Sequence, residues 1–436
     1  MPFVELKPKQ RRTVELDLST LFSIRGFYPN LTIEKLMQLP PFHPWVKRED
    51  GSGLPLSDKG LDALRRIEIT LGTLAELRDC SSHEVAQTIY NEYTQWINRS
   101  LQPNAEEFSE GLINRLRQSV KEYHFLVSIE GVDIDDQEEV RIGSFVLLKA
   151  TEAFLDTIKF GGGLKTEYVS KNFANSLWLK ATCTGSPEIA TARFEQKALL
   201  TAGLIGVCGS ILYQGAIYRT RIDVRASPGG DKTTNSLLRW ESNGENPSMA
   251  MTWNNRQPIK LDAEAVAYLN QQCLLNKIAQ IIDATQRTEL QDAIVRALYW
   301  FADAHRDRNP TMQFVKLWSC AESFFSIENQ GISEIVTRGI ATALVFSNYR
   351  LISQAEYGST KRRLKKLYDM RSKSLHRGEY EQVSESDLSE FSRWVAWVII
   401  SMTDLNDLKY TSLAKVRDQA ERLDHLAKSA ACPKAN

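Results

Sequence analysis

Hydrophobic positions recur with a helical period in two separate stretches of the chain, and in strand-like runs between them. Residues 1–58 show no sustained period and are proline-rich around Pro40–Trp45, so they read as an irregular arm or docking segment. Lys59–Arg78, Ser82–Asn98 and Asn104–Tyr123 carry helical spacing, the last two opening on good N-cap residue types. The pattern then changes. His124–Ile134 and Val140–Ala150 read as strands around an acidic turn, and Tyr218–Ala226, Ser236–Glu241 and Ser248–Trp253 add further candidates. From Leu261 onward the spacing is helical again. It predicts helices over Asp262–Thr285, Glu289–Arg306, from Asn309-Pro310 through Phe325, Ile332–Phe346, Thr360–His376 and from Ser384 past Met402, then an amphipathic tail over 411–430.

These patterns predict a multidomain α+β protein. An N-terminal arm and helical region spans 1–123, a mixed α/β middle domain 124–260, and an all-α helical bundle 261–436. One stretch, Ala198–Tyr218, carries no charge and is long enough to cross a bilayer. Its four glycines and scattered polar residues, with the alternation that follows, favour a buried helix leading into a buried strand. A membrane segment is the alternative.

Composition narrows the function classes. The 436 residues hold 54 basic and 54 acidic side chains, with 42% hydrophobic and 25% charged residues. That balance excludes a disordered tail, a collagen and a polybasic protein that coats nucleic acid. The six cysteines, Cys80, Cys183, Cys208, Cys273, Cys320 and Cys432, are widely spaced and form no CxxC pair, so they read as reduced thiols rather than zinc ligands or a disulfide framework. With no apolar leader at the N-terminus, the expected location is cytoplasmic. The glycine clusters at Gly161–Gly163 and Gly229–Thr233 lack phosphate-loop spacing and read as loops. No cofactor and no metal is implied.

One helix breaks its own pattern. Leu364, Leu367, Tyr368 and Leu375 form an apolar stripe, and Arg371 lies seven residues after Leu364, about 20° away around the axis. A cation there needs a partner, an interface or a ligand; Glu322 and Asp369 are candidate partners. His376 follows five residues later, before Gly378.

The run Tyr368-Asp-Met-Arg371-Ser-Lys-Ser-Leu-His376-Arg-Gly378 resembles the Arg-x4-His motif of the HEPN superfamily of ribonucleases, and most of all its Apea-like branch. The helix after Asn309-Pro310, with Leu317-Trp318 and Ala321-Glu322, is similar to that branch's second helix. The resemblance covers about 285–405. Ser372 departs from the Asn, Asp or His that many HEPN ribonucleases carry after the arginine. The resemblance implies metal-independent cleavage of RNA, in which the substrate's own 2′-hydroxyl attacks. His376 would transfer the proton and Arg371 would bind the scissile phosphate, with Glu322, Ser372 and Tyr368 in support. It also implies a place in toxin or anti-phage defence, with tRNA among the candidate substrates and a phage-derived trigger or an inhibitory partner acting through residues 1–260. A catalytically silent relative that binds RNA, a nucleotide or a partner protein is the alternative.

Helix geometry adds a constraint. Positions five apart diverge by about 140°, so Arg371 and His376 converge on one phosphate only if the helix distorts near Gly378 or the site is assembled from two chains. A homodimer through the bundle, as the resemblance implies, would supply the second half of the site. Charge is also uneven. From Arg350 to Arg377 nine basic residues face only Glu356 and Asp369, a net of +7. Lys361, Arg362, Arg363, Lys365, Lys366, Lys373 and Arg377 are therefore the expected RNA contacts, with a solvated helix face as the plainer reading. Trp300, Trp318, Trp394 and Trp397 read as core.

Overall fold

The computed structural model describes residues 6–431 apart from 29–33, 35–36, 41–42, 50, 159–173, 175, 214–221, 225–234, 240–247, 253–257, 308, 327–330 and 378–382. The protein is a multidomain α+β chain, with helices at both ends and a small amount of sheet between them. It divides into two compact units. One comprises Met1–His124 and Thr182–Phe194, the other Phe125–Ala181 and Glu195–Asn436.

The first unit is built on helices α1 (Pro8–Leu21), α2 (Asp58–Gly72), α3 (Ser82–Asn98) and α4 (Ala105–Ser119), with a short hairpin of β1 (Trp45–Lys47) and β2 (Gly53–Pro55). The segment expected to be irregular thus contains a full helix. Pro8 opens α1 at a first-turn position, where its missing N–H costs nothing. Val14, Leu18 and Leu21 then bury one face against Ala63, Ile67 and Leu71. Asp17 on that face is buried and takes the Arg66 guanidinium at 2.6 Å. Ser81 and Glu84 form a reciprocal cap for α3, and Glu84 also accepts from the Ser186 hydroxyl and the Glu188 N–H.

The second unit holds β3 (Lys121–Glu130), β4 (Val132–Asp133), β5 (Glu139–Ile142), β6 (Phe145–Lys149), α5 (Glu152–Asp156), β7 (Leu177–Gly185), α6 (Pro187–Leu212), β8 (Asp223–Val224), β9 (Asn235–Arg239), β10 (Ser248–Thr252) and β11 (Ile259–Lys260) in whole or part. The five-stranded sheet has the order β5-β6-β7-β3-β8, with Val146 opposite Lys180 and Ile129 opposite Val224. Two expected single strands are interrupted. Gly131, at φ +82°, separates β3 from β4. Gly143, at φ +60°, turns β5 back into β6. A side chain at Gly143 would lie 2.9 Å from Ala279 and Asp283, and Ser144 donates to Asp283 from both its N–H and its hydroxyl.

That anchorage explains why two units form where the sequence divides into three. The β5–β6 turn is tied to the C-terminal helices, and so is α6. Every residue from Leu200 to Ile211 is buried. Gly203 sits so close to α9 that an added Cβ would meet the Leu298 carbonyl oxygen at 2.4 Å. The uncharged stretch is thus a buried helix up to Leu212; most of the strand expected after it lies outside the described residues. Among the described residues no helix is long and apolar enough to cross a membrane.

The C-terminal helices are α7 (Ala263–Gln272), α8 (Leu275–Asp283), α9 (Glu289–Arg306), α10 (Pro310–Phe325), α11 (Ile332–Phe346), α12 (Tyr357–Arg377), α13 (Glu385–Asp407) and α14 (Leu413–Ala431). The single helix expected over Asp262–Thr285 is broken at Leu274, which adopts a left-handed φ of +57°. Asn309 caps α10 through the N–H groups of Thr311 and Met312, and Ser384 with Asp387 forms the expected capping box of α13. Phe314, Leu317, Trp318, Ala321 and Phe325 are all buried.

Candidate functional site at the α10–α12 contact

On α10, Phe314, Trp318 and Glu322 stand at i, i+4 and i+8, one stripe of the helix. Its aromatic members meet α13, where the Phe391 ring stacks 4.4 Å from Trp318 and lies 5.2 Å from Phe314. Tyr368 of α12 stands edge-on to Trp318 at 5.1 Å. Arg371 continues the row. Its guanidinium carbon lies 5.4 Å from the Tyr368 ring centre, and its Nη2 donates to Glu322 Oε2 at 3.1 Å. Glu322, rather than the exposed Asp369, is therefore the partner of the misplaced cation.

This pair is incompletely satisfied. Both side chains are 18% exposed, and Glu322 Oε1 and Arg371 Nε are buried with no hydrogen-bond partner. The Trp318 indole N–H is likewise buried and unpaired. Burial pushes the Glu322 carboxyl above its ordinary range, against the opposing pull of Arg371. The Tyr368 phenol is also raised, first by burial and then by Glu322, with Arg371 working the other way. A cation held on one edge, with donor capacity left over, can accept a second anion such as a phosphate oxygen.

His376 and Arg377 belong to the last turn of α12, but their side chains lie outside the described residues, as does Gly378. The backbone of α12 is helical through Arg377, so Arg371 and His376 are five positions apart on one helix. Ser372 is half-buried beside Arg371 in the chain.

The basic run divides in two. Lys361 is committed to Asp424 of α14 at 2.8 Å, a buried carboxylate that also accepts from the Tyr357 hydroxyl and pairs with Lys428. Burial opposes the Asp424 charge, but these donors hold its carboxyl well below the usual range. Arg363 bridges Asp387 at 2.5 Å and Glu390 at 2.7 Å on α13. Both cations tie α12 to its neighbours. Arg362, Lys365, Lys366 and Lys373 are exposed, with Asp369 among them. Among the described residues no group of three His, Cys, Asp or Glu could hold a metal ion.

Sequence reasoning left Asp424 and Glu390 unnoticed, because nothing in the local pattern of either residue sets it apart from an ordinary surface acid. No protein-family model, curated protein or solved structure matches this chain.

Proposed function

We propose that the protein is a metal-independent endoribonuclease of the HEPN type, working in the cytoplasm as a toxin-like effector of anti-phage defence. The observation that carries this reading is Arg371: a cation in an apolar helical stripe, held by Glu322 and backed by Tyr368, five residues before His376 on the same helix. In the proposed reaction the 2′-hydroxyl of the RNA attacks the adjacent phosphorus and the bond to the 5′-oxygen breaks. The products are a 2′,3′-cyclic phosphate and a 5′-hydroxyl. His376 takes or delivers the proton, and Arg371 stabilises the charge that grows on the phosphate oxygens. The angular separation of two residues five apart on a regular helix supports a site shared by two protomers, with a homodimer through the bundle as the active form. Exposed Arg362, Lys365, Lys366 and Lys373 hold the flanking phosphates. The substrate is host RNA, tRNA foremost, and residues 1–260 regulate the site in response to a phage component or an inhibitory partner.

A second reading draws on the same ion pair. An arginine already committed to Glu322 suits a catalytically silent HEPN protein that binds RNA, a nucleotide or a protein partner. One experiment separates the two. Purified protein, Arg371→Ala and His376→Ala are incubated in EDTA with total RNA and with tRNA, alone and with infected-cell lysate. Cleavage by the unaltered protein, reduced by about 10²-fold or more in each variant, supports the nuclease. RNA bound but intact selects the silent protein. A magnesium requirement overturns the mechanism, and a strictly monomeric active species in sedimentation overturns the composite site.

A further inference from the structure

A second site is built elsewhere in the bundle. Between α11, α13 and α14 lies a cavity of about 200 Å³. It opens to solvent beside the exposed Asn348 and Leu408, so it is a pocket in the bundle surface with a buried floor. Two small residues, Ala343 of α11 and Ala420 of α14, are part of its lining. The rings of Phe325 and Phe346 form apolar wall, and Tyr410 stands with them. The turn that delivers Tyr410 closes α13: the Lys409 N–H bonds the Asn406 carbonyl and the Tyr410 N–H bonds the Leu405 carbonyl. Lys409 occupies the left-handed position of that turn, at φ +69°, where glycine is favoured.

The charge of the lining restricts the ligand. Among the described residues it contains no lysine, arginine or histidine, and Asp404 is its one carboxylate. A phosphate or carboxylate ligand would find no counter-charge there and would face Asp404. Asn348 donates to Asp404 Oδ2 at 2.6 Å, which orients a half-buried carboxylate with acceptor capacity for a further donor. Cavities of about 150 Å³ admit benzene, so this one has room for a ring with a short arm. We propose that the cavity between α11, α13 and α14 binds a small organic monoamine with an apolar body, its ammonium group on Asp404 and its body against Phe325 and Phe346. This site does not depend on the nuclease reading.

The test uses the full chain in phosphate buffer, which contains no competing amine. Calorimetric titration and thermal melting are run with 2-phenylethylamine, tryptamine, cyclohexylmethylamine and isoamylamine, and with 3-phenylpropionate, which has similar shape and opposite charge. At least one amine is expected to bind and raise the melting temperature, while 3-phenylpropionate does neither. Asp404→Asn should weaken the amine by about tenfold or more, and Ala420→Leu, which fills the cavity, should abolish binding. Failure of all four amines to bind at millimolar concentration overturns the proposal, as does equal binding of 3-phenylpropionate. The probe comparison on the unaltered protein decides the matter even if a variant does not fold.

Discussion

Arg371 and Glu322 show how one side chain out of pattern propagates. The arginine sits where a leucine would continue the stripe of α12, and its burial draws a carboxylate out of water with it. Each charge tolerates burial because of the other. Arg371→Met should therefore destabilise the protein by leaving Glu322 alone. The sign with pH follows from the carboxyl. Its folded-state affinity for a proton is already raised by burial, and Arg371 is the one influence that lowers it. Without Arg371 it rises further, so the penalty for ionised Glu322 is full above the folded-state value and fades as pH falls toward the unfolded one. Urea melts at pH 8 and pH 5 should give a loss of about 1–3 kcal/mol at the higher pH, the cost of a buried polar group left unsatisfied, and a smaller one at the lower. A deficit that grows on acidification would refute this account. The need for a partner was legible in the spacing of Leu364, Tyr368 and Arg371. The choice of Glu322 over Asp369 was not, since it depends on which face of α10 turns toward α12. The fate of Lys361 and Arg363 was equally hidden, because their carboxylates lie on α14 and α13.

At the scale of elements, close approach between helices is set by glycines as much as by large side chains. Gly203→Ala would push a methyl group into the Leu298 carbonyl oxygen, a backbone atom that cannot rotate aside. It should separate α6 from α9 at a cost of about 1–3 kcal/mol. Gly72, in the last turn of α2, meets nothing within 4 Å, so Gly72→Ala should stabilise by about 0.4–1 kcal/mol through the unfolded chain. Paired denaturant curves check both, and equal effects at the two glycines would contradict the close-approach argument. Helices were legible wherever period and cap coincide, as at Ser81 with Glu84, Thr288 with Gln291, and Asn309 with Pro310. α1 escaped because Val14, Leu18 and Leu21 are its only deeply buried apolar residues and a proline opens it. The break at Leu274 escaped because neither glycine nor proline marks it. The β5–β6 turn escaped because Gly143 and Ser144 sit inside what reads as one strand over Val140–Ala150.

For the whole molecule, zero net charge and a local excess of +7 describe different things. The total governs how the protein meets a polyanion at a distance, and an uncharged body gains little long-range attraction. Under the proposed function, RNA binding then comes from the few cations that can contact phosphate. Several of the basic residues of α12 are not free. Lys361 and Arg363 hold the bundle together, while Arg362, Lys365, Lys366 and Lys373 face outward. If the nuclease reading is right, the two groups separate in one experiment. Replacing Arg362, Lys366 and Lys373 together by glutamine should weaken RNA binding and reduce the slope of log affinity against log salt by about 2, at roughly 0.7 per lost contact on a single strand. Melting temperature should stay near that of the unaltered protein, because among the described residues none of the three holds an ion pair across the bundle. Arg363→Ala should do the reverse, lowering the melting temperature through Asp387 and Glu390 and leaving the salt slope where it was. A slope untouched by the triple substitution would move the RNA surface off α12, and with it the argument that the confined positive charge marks the site.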